Sequence, residues 1–89
     1  MEVNVKNPVT RLREEKGLTQ GDLAILLGVS VPFVSQVELG TLAPSERRLR
    51  MIANLFQTDA GRLDRGLASF HEKRKEELQE KLGLRIRRR

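Results

Sequence analysis

The 89-residue chain contains no cysteine, tryptophan or tyrosine, and it has only three phenylalanines and one histidine. Without cysteine, neither disulfide bonds nor a cysteine-ligated zinc or iron–sulfur centre can stabilise the fold. The single histidine, His71, lies in a stretch rich in charged residues, so it supports neither a metal cluster nor a histidine-dependent nucleophile. The seven glycines form no phosphate-binding P-loop pattern. We therefore expect no enzymatic activity, no metal site and no cofactor.

Long apolar runs are also missing. No stretch approaches the roughly 18 uninterrupted apolar residues that a membrane span needs, and residues 1–10 lack the apolar region of a secretion signal. We therefore expect a cytoplasmic protein with no membrane association. The length and the 38% hydrophobic content predict one small domain with a modest aliphatic core.

Positive charge exceeds negative charge, with 17 Lys and Arg against 12 Asp and Glu, a net charge of +5. Such an excess favours a polyanionic partner such as nucleic acid. Its distribution is uneven, because residues 1–66 carry 9 basic and 8 acidic residues, residues 67–82 carry 4 of each, and residues 83–89 carry 4 basic and none acidic. The excess thus lies at the C-terminal end, and composition alone does not locate a binding surface.

Aliphatic residues spaced three and four apart, bracketed by capping residues and glycines, predict an all-α fold. Asn7 and Pro8 begin the first segment, Thr19 and Asp22 resemble a capping box, and either Thr58 or Asp59 caps the fifth segment. The five predicted helices cover about 8–16, 19–28, 30–39, 44–56 and 58–66.

The composition changes after Gly66. Ser69 and Glu72 match a capping box for a sixth, largely solvated helix over about 70–82. Its apolar residues Phe70, Leu78 and Leu82 either pack against a partner or fold back on the core. The alternating segments 3–6 and 84–87 fit either short strands or disorder, and disorder is favoured. The chain is divided into an N-terminal arm (1–7), a main domain (8–66), a charged helix (67–82) and a basic tail (83–89).

The second and third predicted helices are joined through Gly28, with Ala24 four residues before it and Val34 six residues after it. A small side chain at Ala24 lets two helices cross closely, and Gly28 supplies the positive φ of a tight turn. This spacing predicts a helix-turn-helix.

The chain closely resembles the phage-repressor (Cro/C1 or Xre-like) helix-turn-helix family over residues 8–66. The matching residues are Gly17–Gln20, Leu23–Ala24, Gly28–Ser30, Val34–Gly40, Pro44–Ser45 and Ile52–Ala53. The resemblance implies a compact five-helix, lambda-repressor-like domain, to which this chain adds the charged helix and the basic tail.

The resemblance also implies that the third helix enters the DNA major groove and that its first residues reach base edges. The base-contacting candidates are Val31, Pro32, Ser35 and Gln36. Gln36 can pair bidentately with adenine, worth about 1–3 kcal/mol of discrimination, although a solvated surface glutamine is the alternative. Val31 and Pro32 offer only apolar surface, which suits thymine methyl groups. We therefore expect an A/T-containing site.

Contacts to the DNA backbone are carried over by position from the same family. Gln20 matches a glutamine that holds a phosphate, aided by backbone N–H groups at a helix start. The full set of backbone-contacting candidates is Gln20, Ser30, Phe33, Thr41, Ser45 and Arg47. Phe33 either adds a thymine contact or packs on aliphatic neighbours, and Arg48 and Arg50 are either contacts or solvated.

The family further joins an arginine of the first helix to a glutamate near the end of the third, and Arg13 and Glu38 match these positions. The resemblance thus implies a structural salt bridge, so Arg13 is not counted as a phosphate contact. Breaking such a pair costs about 3–5 kcal/mol where burial is deep.

The expected function is a sequence-specific transcriptional regulator, with repression as the default mode. It would bind a palindromic operator on double-stranded DNA as a homodimer, and would be nucleoid-associated. The alternative is an antitoxin or bridging-type module of the same fold that holds a toxin or the transcription machinery. A third reading, RNA binding through the arginine-rich end, is weakened by the absence of Tyr and Trp.

Overall fold

The computed structural model of the chain describes residues 6–83. Every regular element within this range is an α-helix, in the order α1 (Pro8–Glu15), α2 (Gln20–Leu27), α3 (Val31–Leu39), α4 (Glu46–Leu55) and α5 (Ala60–Lys81). The all-α fold class is confirmed, and the first five predicted helices begin within two residues of the observed helix starts. The alternating segment 84–87 and all of segment 3–6 except Lys6 lie outside the described residues.

Short polar side chains begin each helix. Asn7 Oδ1 accepts from the Val9 N–H at 2.8 Å, and Thr19 and Asp22 form a reciprocal capping box. Ser30, Ser45 and Asp59 cap α3, α4 and α5 in the same way. These bonds satisfy N–H groups that have no partner inside the helix, so each start is determined locally.

The core is one aliphatic cluster to which all five helices contribute. Its buried members are Val9, Leu23, Ala24, Leu27, Val34, Val37, Leu49, Ile52, Ala53, Phe56 and Leu63. Because α1 packs against both α3 and α5, the helix-turn-helix pair is supported from the side away from its exposed surface.

The predicted break near Gly66 is wrong, because α5 continues for 22 residues through Gly66 and Ser69. The predicted sixth helix is the second half of α5, and the predicted capping box at Ser69 does not form. A β-carbon on Gly66 would lie 3.0 Å from Pro8 Cγ. Gly66 therefore allows the start of α1 to approach α5 closely, and this packing offsets the cost of about 1 kcal/mol for glycine inside a helix.

No single helix in the described range is long and apolar enough to cross a membrane. Taken together, α2 and α3 reach the required length and apolar composition, but they are bent by 113° at the turn between them.

Candidate nucleic-acid interface

The turn between α2 and α3 has helix-turn-helix geometry. The 113° bend falls within the range of about 90–120° for this motif. Gly28 adopts the left-handed conformation with φ 69, and the Val29 N–H donates to the Ala24 carbonyl at 3.0 Å. Ala24 and Val34 are buried where the two helices cross. The motif thus holds α3 at a defined angle to α2.

The C-terminal half of α3 is anchored from the helices around it. Val37 and Glu38 are buried, and the Asn7 side-chain amide donates to the Val37 carbonyl at 3.0 Å. Asn7 thus both caps α1 and ties it to α3, a role that its capping pattern alone did not indicate.

The structure brings the two residues of the expected ion pair together. Arg13 Nε and Nη2 donate to the two Glu38 oxygens at 2.7 and 3.0 Å, and Arg13 Nη1 donates to the Leu18 carbonyl at 2.8 Å. The Glu38 side chain is only 6% exposed. The Arg13 guanidinium is therefore bound to groups within the protein. This agrees with the expectation that Arg13 is not a phosphate contact.

Opposing effects act on the Glu38 carboxyl. Burial raises its pKa, but hydrogen bonds from Arg13, Gln20 and Thr10 and the charge of Arg13 together outweigh burial and leave the pKa below its ordinary value. The hydrogen bond to Glu38 raises the pKa of Arg13. Both groups are therefore charged at neutral pH.

Two residues of α5 contact Gly40, which caps the C-terminal end of α3. His71 Nδ1 lies 2.8 Å from the Gly40 carbonyl, which can only accept, so this nitrogen donates. The Phe70 ring lies against Gly40, which ends α3 with φ 83. Folding back was one of the two alternatives left open for Phe70, whereas the His71 contact was not predicted, because a helix break was placed before both residues. On one continuous helix, Phe70 follows Leu63 and Leu67 on the core-facing side, and this spacing was the available signal.

One face of α3 is exposed and presents three of the four base-contacting candidates. Val31, Pro32 and Gln36 are exposed, whereas Ser35 is half-buried. Val31 and Pro32 occupy the first turn, and Gln36 lies one turn further along the helix. Because the C-terminal end of α3 is anchored, this exposed face forms a preformed surface.

Gln20 has a protein partner that sequence analysis did not include. Its side-chain Nε2 donates to Glu38 Oε1 at 3.1 Å, so Gln20 joins the Arg13–Glu38 pair. Gln20 and Gly21 are the first two residues of α2, and their backbone N–H groups precede the first intrahelical bond. These groups leave a phosphate contact at this helix start possible, and that contact stays a prediction.

Three hydroxyl candidates serve as local caps. Ser30 Oγ accepts from the Phe33 N–H and Ser45 Oγ accepts from the Arg48 N–H, both at 3.2 Å, and each hydroxyl keeps its own proton for a donor bond. Thr41 differs, because its hydroxyl donates to the Gln36 carbonyl at 3.2 Å. In this conformation, the Thr41 side chain has no proton left for a phosphate oxygen.

The remaining candidates lie where α3 meets α4. Phe33 is half-buried and packs against the core, and its ring carries the Arg48 guanidinium, with Cζ 5.2 Å from the ring centroid. Arg47 is exposed. Arg50 is paired with Glu46 at 2.8 Å. The structure therefore separates the three arginines of α4 by their surroundings, which the sequence pattern could not do.

Across residues 6–83, no three His, Asp or Glu side chains are grouped so that they could hold a metal ion. The geometry of this part of the chain is that of a surface formed by one exposed helix end, hydroxyl caps and arginine side chains.

Comparison with known families agrees with this geometry. A family model described as a helix-turn-helix domain matches residues 9–66, which are 58 of the 89 residues. The chain belongs to the helix-turn-helix domain family, a DNA-binding class. No curated protein and no solved structure gives a significant match.

Proposed function

We propose that this protein is a sequence-specific transcriptional regulator of the Cro/C1 or Xre-like type, which acts by occupying an operator. The observation that supports it is that α3 is anchored at its C-terminal end and exposed along one face. The C-terminal end is fixed by Asn7, Arg13 and His71, while Val31, Pro32 and Gln36 are exposed. A rigidly held helix with an exposed N-terminal end is what major-groove recognition requires. The proposal includes a non-enzymatic, nucleoid-associated role in the cytoplasm.

The operator would be a palindrome bound by two copies, because one such domain covers a single half-site. On α5, the core-facing stripe of Leu63 and Leu67 continues at helical spacing to Leu78 and Leu82, which are 45% and 77% exposed. Of the three apolar residues expected in this segment, Phe70 folds back onto Gly40 and these two leucines stay available. They are the proposed contact between two copies.

Enrichment from a random duplex pool at low salt tests the recognition proposal. The expected result is a palindromic motif with A/T pairs in each half-site, since Val31 and Pro32 offer apolar surface to thymine methyl groups. Failure of the folded protein to enrich any motif would overturn the proposal.

Sedimentation of the free protein and of its DNA complex tests the dimer. Leu78→Glu with Leu82→Glu is expected to shift the protein toward monomer and to weaken binding to the palindrome. Ile25→Glu is the matched control, because Ile25 is also a strongly exposed aliphatic residue, at 80%, but lies on α2. Unchanged sedimentation of the double variant would exclude these leucines as the interface.

A protein partner is the second candidate function, and one observation favours it. Ile25 and Leu26 are 80% and 54% exposed on the outer side of α2, where a helix that only faces solvent usually carries polar residues. An antitoxin or bridging factor would use such a surface for a toxin or for the transcription machinery. If Ile25→Glu with Leu26→Glu abolishes regulation in cells while duplex binding is unchanged, a protein contact on α2 is required.

A further inference from the structure

The helix-turn-helix itself carries no basic side chain. Residues 17–46, which include all of α2 and α3, contain no Lys and no Arg. Arg13, which lies on the adjacent α1, is paired with Glu38. Proteins that bind duplex DNA release counterions by placing cations near phosphates, and this supplies much of their affinity. A cation must therefore reach this surface from another helix.

Arg48 of α4 lies at the recognition helix. Its Cζ stands 5.2 Å from the centroid of the Phe33 ring, and Phe33 is the third residue of α3. The Arg48 backbone is fixed by its N–H bond to Ser45 Oγ at 3.2 Å. The guanidinium is therefore held beside the first turn of α3, where Val31 and Pro32 are exposed.

The contact with Phe33 leaves hydrogen-bonding capacity on Arg48. A guanidinium has five N–H donors, and a phenylalanine ring has no oxygen or nitrogen acceptor to occupy them. Within residues 6–83, the ring contact with Phe33 is the interaction found for this side chain, and no carboxylate is paired with it. Arg50, two residues further along, is bound to Glu46 at 2.8 Å. Arg48 is thus both positioned and uncommitted.

We propose that Arg48, held on the ring of Phe33, binds a DNA phosphate beside the recognition helix. Phe33 then acts on DNA through Arg48 as a platform, in place of the direct backbone contact for which it was a candidate. Ring stacking lowers the side-chain entropy that a free arginine would lose on binding. This inference rests on the proposed DNA-binding function.

A double-mutant cycle on the enriched duplex, measured from 50 to 300 mM salt, tests the pair. Arg48→Ala is expected to weaken binding about tenfold and to reduce the slope of log K against log salt by about 0.9. Phe33→Leu keeps an apolar side chain but removes the ring, so it is expected to weaken binding in the same direction by a smaller factor. The double variant should bind like Arg48→Ala alone.

Arg50→Ala is the matched control, because it removes an arginine of the same helix whose charge is already paired; binding within about twofold of the parent is expected. Thermal unfolding of each variant shows that the fold is retained. An unchanged salt slope for Arg48→Ala, or fully additive effects of the Arg48 and Phe33 substitutions, would overturn the inference while leaving the proposed function standing. If the parent protein binds no duplex, both are overturned.

Discussion

The Phe70 ring lies so close to Gly40 that a β-carbon at position 40 would stand 3.0 Å from Phe70 Cε2 and 3.2 Å from Cδ2. This contact joins the middle of α5 to the residue that caps the C-terminal end of α3. The His71 bond to the Gly40 carbonyl, at 2.8 Å, reinforces it. The long helix α5 therefore helps to determine where α3 ends and how it is held.

Gly40→Ala is expected to destabilise the fold by two effects. The left-handed φ of 83 strains any residue with a β-carbon by about 1–2 kcal/mol, and displacement of Phe70 adds about 1–3 kcal/mol. Gly17→Ala is the control, because Gly17 has φ 70 but nothing within 4 Å of a β-carbon. Urea unfolding should give a larger loss for Gly40→Ala. Equal losses would show that the Phe70 contact contributes nothing.

Glu38→Gln is expected to lower the free energy of unfolding at pH 7 by about 3 kcal/mol, because it leaves Arg13 unpaired in a largely buried position. The folded-state pKa of Glu38 is lowered, so its stabilisation is present above the unfolded carboxyl pKa of about 4.3. That stabilisation is lost as the pH falls through the lower folded-state pKa. The difference between the parent and Glu38→Gln should therefore shrink below about pH 4.

Glu46→Gln is the matched control for this measurement. It breaks the Arg50–Glu46 pair, whose side chains are 67% and 76% exposed, and such pairs contribute only about 0.2–0.5 kcal/mol. Glu38→Gln and Glu46→Gln are each compared with the parent. If both lower the free energy of unfolding by the same small amount, the Arg13–Glu38 pair is not a structural anchor.

Gln36→Ala is expected to relax base preference at one base pair of each half-site, because only its amide can read adenine bidentately.

Arg47→Ala is expected to weaken binding to all duplex sequences alike and to lower the salt slope. Repeating the duplex selection with each variant separates the two effects. Asn54→Ala is the control, because it removes an exposed amide of α4; it should change neither the base preference nor the salt slope. If Gln36→Ala enriches the same motif as the parent, Gln36 takes no part in base recognition.

Deletion of residues 85–89 removes four of the 17 basic side chains. The expected result is a shallower dependence of affinity on salt, with the enriched motif unchanged, because phosphate neutralisation carries no sequence information. Titration of one duplex with both proteins at several salt concentrations measures this. An unchanged slope would mean that the net positive charge does not contribute to DNA binding.

Features that depend on near neighbours in the chain could be predicted from the sequence. The caps at Asn7, Thr19 and Ser30 bond to groups two or three residues away, so the residue types alone predict them. The family resemblance supplied the pairing of Arg13 with Glu38 across 25 positions, and the structure gives that pair its bidentate geometry.

Where the role of a residue depends on a distant partner, residue types and spacing do not predict it. A glycine such as Gly66 can end a helix or can leave room for a neighbouring side chain, here Pro8, and the local sequence is the same in both cases. Only the packing of α1 on α5 distinguishes them. Arg47, Arg48 and Arg50 are equally basic in the sequence, yet one is exposed, one is stacked on Phe33 and one is paired with Glu46.

Residue types and their spacing predict the helix starts, the helix-turn-helix and the aliphatic core, because hydrogen bonds at caps and the 3.6-residue period act within a few residues. Three features are visible only in the packed helices: α5 is continuous, it contacts the end of α3, and Arg48 lies beside the first turn of α3. Those features depend on which surfaces meet when the helices pack, and residues far apart in the chain carry no local signal of that meeting.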